Sequence, residues 1–399
     1  MPVGYLVTVA FVGWCTWFAL APPMPRRSSP SNKSYWFGYL LNELPFFAFY
    51  WLFASTLLAF SQGDLGSPGG RAAFGVAVLT TAGLVVVAWR GLRAGPAVDH
   101  ALTEGLGAGW REVIDAGMAA RLRRHLPYAR ILLAPFPVRR REVERVANIS
   151  YGDAGKQTLL DVYRHRSRPS GSPTLVYLHG GAFRSGSKHR EARPLLYRFA
   201  SQGWVCISAN YRLSPAAGFP DHHVDAKKVI AWVRAHGPEY GADPAVVFVA
   251  GSSAGAHLAA LAALTPNDPA FQPGFEGADT SVTAAICLYG YYGRLAADEP
   301  VPSSPQAYVR ADAPPFFVAH GDRDTVVIVQ DARRFVARLR GGSSNPVVYA
   351  ELPGAQHTFD LFGSLRFETV VDGIEAFAAW VRSRQQAQRT RLDRPERAP

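Results

Sequence analysis

The first ninety residues hold three long apolar stretches with almost no charge, whereas the remainder alternates short β-branched runs with amphipathic ones. Residues 3–21, 37–60 and 72–89 each approach the ~20 residues that a membrane-spanning helix needs. Glu43 and Pro45 interrupt the second, although 46–60 alone stays strongly apolar and aromatic. A membrane region with two or three transmembrane helices is therefore expected over residues 1–93. A cleaved signal peptide is the rival reading of the first stretch. It fits poorly, because residues 1–5 carry no basic side chain and the Ala-Leu-Ala site is followed by Pro22 and Pro23. A buried helical hairpin in a soluble protein would leave aromatic-rich faces without obvious cover.

From about Asn148 the period changes. Strands are expected at 158–163, 174–178, 205–210, 246–250, 282–289, 315–319 and 347–351. Helices are expected between them at 190–202, 224–236, 254–264, 331–339 and 367–382. That alternation predicts an α/β domain over 148–385, a mostly parallel sheet with helices on both faces. Residues 94–147 read as a basic helical linker, with Arg121, Arg123, Arg124 and Arg139 to Arg141 broken by the apolar 131–136. Such a segment suits either a lipid headgroup layer or a solvated connection. Residues 386–399 read as a disordered basic tail.

The net charge of +11 invites a nucleic-acid partner, but charged residues make up only 18% and no nucleic-acid-binding signature occurs. The arginine-rich linker and tail account for much of the excess. Basic residues beside the spans bear on orientation: Arg26, Arg27 and Lys33 after the first, Arg90 and Arg93 after the third. With three spans the catalytic part is cytoplasmic, and with two the placement inverts. Of the cysteines Cys15, Cys206 and Cys287, the last two sit in apolar runs, so buried free thiols are expected and not a disulfide framework.

Gly251, Ser252, Ser253, Ala254 and Gly255 lie between an apolar strand and an alanine-rich helical run, the strand-turn-helix context that a GxSxG nucleophile requires. A serine hydroxyl is a weak nucleophile at neutral pH, so a base must take its proton and a carboxylate must orient that base. In such sheets the partners follow in the order serine, acid, histidine. Only His320 and His357 lie downstream. His357, in the loop after the last strand, is preferred, and His320 reads as a strand-end residue. Asp324 is the preferred acid, with Asp322 as its alternative and Asp312 and Asp331 further away. Gly181, Ala182 and Ala254 are candidates for the oxyanion-binding amides, in the glycine loop after an early strand and just past the nucleophile. His179 is expected to pin that loop, and Asp225 to pair with Arg212. No metal-ligand spacing, dinucleotide motif or phosphate loop is present, so neither metal nor cofactor is expected.

The segments YLHGGAF, ANYRLSP, GSSAGAHLA, HGDRDTVV and GAQHTF, in this order, resemble the hormone-sensitive-lipase and bacterial carboxylesterase branch of the α/β-hydrolases. With its apolar amino-terminal spans the whole chain also resembles the actinobacterial, particularly mycobacterial, Lip-type carboxylesterases. The resemblance implies Ser253 as nucleophile, Asp324 as acid, His357 as base and the HGG loop as oxyanion hole. HGGA replaces the usual HGGG, and Ala182 cannot freely take positive φ. The stretch between Tyr291 and Asp312, where such enzymes often carry cap helices, is short, which suggests an open site beside Tyr289, Tyr291 and Tyr292.

The expected activity is hydrolysis of short to medium acyl esters, small-molecule or lipid, next to membrane lipids. An acyltransferase, amidase or peptidase could use the same triad. A catalytically inactive membrane interaction module is the alternative of a different class.

Overall fold

A run of residues that is apolar at every position is stable as a strand only where both faces of the sheet are covered. The computed structural model describes residues 3–29, 32–136, 139–296 and 300–392. In it, β1 (Val143–Ser150), β2 (Leu159–His165), β3 (Ser172–Leu178), β4 (Val205–Ala209), β5 (Ala242–Ser252), β6 (Ala284–Leu288), β7 (Phe316–Gly321) and β8 (Val347–Leu352) form one sheet. Its order is β1-β2-β4-β3-β5-β6-β7-β8; β2 runs antiparallel to both its neighbours, β1 and β4, and the other neighbouring pairs are parallel. This is the α/β-hydrolase fold, preceded by a helical apolar region. Strands β3, β4, β6 and β7 are buried along their whole length.

Alternate side chains of each central strand feed two cores. Leu175, Tyr177, Phe248 and Ala250 pack under α9 (Arg193–Ser201) and α13 (Leu365–Leu392). Val176, Leu178, Val247 and Val249 pack under α10 (Asp221–His236), α11 (Ala254–Leu264) and α12 (Val329–Gly342). The carboxyl ends of β3, β5, β7 and β8 open on one edge, where ligands of such sheets bind.

The amino-terminal region is built from α1 (Val3–Leu20), α2 (Ser34–Glu43), α3 (Pro45–Ser61) and α4 (Pro68–Leu92). The stretch read as a second span, 37–60, is broken: α2 and α3 meet at 90°. Pro45 supplies no N–H and starts α3 at its first position, while Leu44 leaves helical geometry (φ −123°, ψ 45°). By length and composition two helical segments, Val3–Leu20 and Pro68–Leu106, can cross a membrane, or up to three if the bent pair counts as one.

The stretch expected as a linker, 94–147, packs in part on the sheet. α5 (Ala94–Leu106) lies on β8 and α13, and Ala94, Val98, Ala101, Leu102, Trp110 and Ile114 belong to the first core. Short turns α6 (Trp110–Val113), α7 (Ala116–Ala119) and α8 (Tyr128–Leu133) follow, and the expected boundary at 148 falls inside β1. Two arginines there turn inward to α13: Arg123 reaches Glu368 (2.5 Å) and Asp372 (2.6 Å), and Arg130 reaches Glu368 (2.7 Å). Their partners lie more than 200 residues away, so local charge alone suggested a solvated or lipid-facing stretch. α13 likewise continues to Leu392, past the expected start of the tail at 386, and 393–399 lie outside the described residues.

Candidate active site

β5 ends at Ser252, and Ser253 turns the chain into α11 with φ 54° and ψ −116°. A side chain held there costs on the order of 1–3 kcal/mol unless its surroundings enforce it. The surroundings do so. A Cβ on Gly255 would lie 2.0 Å from the carbonyl oxygen of Leu178, and one on Gly251 would lie 2.2 Å from that of Gly255. Only glycines let the turn close against β3, while the Ser253 amide donates to Leu288 O at 2.9 Å.

His357 comes from the loop after β8. Its Nε2 lies 3.0 Å from Ser253 Oγ and its Nδ1 2.7 Å from Asp324 Oδ2. Asp324 can only accept, so Nδ1 carries the proton and Nε2 is left to receive the serine hydroxyl. The other oxygen of Asp324 accepts from the amides of Val326 and Val327, both at 2.8 Å. Burial raises the Asp324 carboxyl, but the adjoining His357 and His320 outweigh it and hold the group well below the usual carboxylate range. Gln356 Oε1 ties the two loops together, accepting from Thr325 N at 2.7 Å and His357 N at 3.0 Å.

The alternatives from sequence stand elsewhere. His320 Nε2 lies 2.8 Å from Val327 O and 3.4 Å from Asp324, behind the acid. Asp322 accepts from Gly354 N at 2.7 Å, Asp312 pairs with Arg310 on the surface, and Asp331 meets Ser28 and Arg334.

The loop after β3 carries Gly181 (φ 122°) and Ala182 (φ 54°), so the alanine does take the left-handed conformation, at a cost of roughly 1–2 kcal/mol. His179 stacks on Tyr211 with ring centroids 4.4 Å apart and donates from Nδ1 to Gly180 O at 2.7 Å. Burial pushes its pKa down to about 4, so it is a neutral brace. Ala254, the third candidate donor, opens α11. Arg212 and Asp225 form a forked pair at 2.9 Å through both oxygens.

Sequence reasoning missed a second set of residues. Ser252, to which the motif assigns no role, donates to Asp360 Oδ2 at 2.6 Å and accepts from Tyr177 at 2.8 Å. Tyr289 donates to the other Asp360 oxygen, and its ring meets that of His357 at 4.6 Å. Glu191 accepts from the Gly180 amide at 2.5 Å. Burial raises both carboxyls. Asp360 and Glu191 thus brace the Ser253 turn and the glycine loop from below. The one hint in sequence was Asp360, three residues past His357. Tyr289 and Tyr292 are fully buried, and Tyr292 stacks on Phe335 at 4.0 Å.

The BD-FAE family matches residues 160–293. Among individual proteins, the chain is 38% identical to the Mycobacterium tuberculosis protein named "Probable carboxylic ester hydrolase LipM", over 96% of this chain and 95% of that one. It is 37% identical to esterase LipQ of the same organism, covering 75% and 78% of the two chains. Of solved structures, esterase 2 of Thermogutta terrifontis phosphoramylated by tabun superposes with a TM-score of 0.52 at 26% identity, over 61% of this chain and 96% of that one. A truncated carbohydrate esterase from gut microbiota, at 20% identity, shares the fold with a TM-score of 0.50, over 59% of this chain and 96% of that one.

Proposed function

Since the chain belongs to the Lip-type carboxylic ester hydrolases, we propose that it cleaves short to medium acyl esters through an acyl-enzyme on Ser253, with His357 as base and Asp324 as its orienting acid. The contacts that carry this reading are Ser253 Oγ to His357 Nε2 at 3.0 Å and His357 Nδ1 to Asp324 at 2.7 Å. His357 takes the hydroxyl proton as Ser253 Oγ attacks the ester carbonyl. The amides of Gly181, Ala182 and Ala254 receive the oxyanion, at the start of α11 where the helix dipole adds positive potential. Collapse breaks the C–O bond, the alcohol leaves with the proton from His357, and water then hydrolyses the acyl-serine by the same route. Ser253→Ala should lower kcat/KM on 4-nitrophenyl butyrate by about 10⁴-fold or more, and retained turnover would sink the assignment.

The same reading sets the catalytic domain against the cytoplasmic face of a membrane crossed by α1, α3 and α4. Val7, Phe11, Trp14 and Trp17 of α1 and Val78, Leu79, Val85 and Val86 of α4 face outward, an apolar surface that lipid would cover. The ends assigned to one side meet one another: Arg90 of α4 donates to Leu20 O of α1 at 2.8 Å, and Tyr5 of α1 meets Thr56 of α3 at 3.2 Å. Arg26, Arg27, Lys33, Arg90 and Arg93 then gather on the cytoplasmic side.

A further inference from the structure

The loops that carry the acid and the base are roofed by the amino-terminal helices. Ser28 Oγ accepts from Ile328 N at 3.0 Å, the Ser29 amide donates to Val326 O at 2.8 Å, and Asn32 donates to Thr325 O at 2.7 Å. The chain between α1 and α2 therefore follows the Asp324 loop before α2 starts. On α2, Tyr35 is buried, its hydroxyl lies 2.5 Å from Thr358 Oγ1, and its ring stands edge-on to His357 at 6.2 Å. Tyr39, one turn later, stacks on Tyr35 at 4.7 Å. Trp36 meets Tyr35 at 5.1 Å and Tyr39 at 5.8 Å, and is itself 60% exposed. A continuous aromatic row thus leads from the histidine beside Ser253 to the outer face of α2. Phe37 extends that face to Phe18 and Trp14 of α1.

The direction of α2 gives the row its meaning. Because α2 and α3 meet at 90°, α2 lies along the membrane plane when α3 crosses it. Tyrosine and tryptophan favour that depth, where the ester groups of amphiphiles also reside.

We propose that the enzyme takes its substrate sideways from the bilayer: a membrane-dissolved amphiphilic ester whose apolar tail lies on Trp36 and Tyr39 while its carbonyl reaches Ser253 past Tyr35. The proposal rests on the esterase and membrane readings above and adds a substrate class and an entry route. The test uses the full chain in phosphatidylcholine vesicles with two butyrate esters, water-soluble 4-nitrophenyl butyrate and bilayer-dissolved hexadecyl butyrate. Each variant is compared with the wild type on the same ester, so the difference in leaving group cancels. Trp36→Ser and Tyr39→Ala should each lose about tenfold more kcat/KM on hexadecyl butyrate than on the soluble ester, and Trp36→Phe should recover most of it. Equal losses on both esters, or none on hexadecyl butyrate, overturn the proposal. A wild type that cleaves only the soluble ester overturns this route and leaves the esterase assignment standing. A wild type inert towards both overturns the two together.

Discussion

At the scale of single residues the site divides into groups that face the ester and groups that hold them. Asp324 belongs to the second set, holding His357, and its depressed ionisation has a definite sign. Below the ordinary carboxylate range the unfolded chain takes up its proton first, so the stability that Asp324 contributes is present above about pH 4 and lost as acid is added. Asp324→Asn should therefore flatten the acid limb of urea melts between roughly pH 5 and 3, and lower neutral kcat/KM by about 10⁴-fold. Asp360→Ala would strand the hydroxyls of Ser252, Tyr177 and Tyr289 in a dry interior. It should cost about 3 kcal/mol in thermal denaturation and reduce turnover through the loosened turn. The meeting of Ser253 and His357 could be anticipated in sequence because the glycine-flanked turn and a histidine late in the chain each stand out there. Asp360 and Glu191 could not be, because a brace needs only a carboxyl at the right point in space and any segment can supply it.

At the scale of elements, legibility followed the reach of the interactions. The strands β3 to β8 and the helices α9 to α13 declare themselves through local periodicity, and their positions are off by only a few residues at most ends. β1 escaped notice because its apolar Val143, Val146 and Ile149 recur every third residue across an irregularity in the pairing with β2, not every second residue. The arginines of the α5–α8 segment showed their charge but not their partners on α13. Close approach is the other property hidden from periodicity. Gly255→Ala would press a methyl group into the Leu178 and His179 carbonyls, so it should destabilise by about 3 kcal/mol or more, seen as loss of folded protein in a thermal melt. The break at Leu44 was half legible, since Pro45 marked it but nothing in the sequence gave its angle.

For the molecule as a whole, the contact between the apolar amino-terminal helices and the α/β domain includes a buried ion pair. Glu43, at the end of α2, is buried against Arg366 and accepts from Ser364 at 2.5 Å, while Arg366 also donates to Asn42 O at 3.1 Å. Removing one partner of such a pair costs about 3–5 kcal/mol, so Glu43→Ala should lower the denaturation midpoint in detergent well beyond any exposed substitution on α1. Topology is tested separately. With an impermeant thiol reagent on intact cells, Ser67→Cys should be labelled and Ala387→Cys should not, and the reverse pattern would invert the orientation. The Glu43–Arg366 pair also joins positions 323 residues apart, so one partner is synthesised well before the other. At ordinary elongation rates Glu43 waits on the order of half a minute for its partner. Until Arg366 has been made, the Glu43 carboxylate has no guanidinium beside it, so α2 can dock against the start of α13 only after synthesis has passed that point.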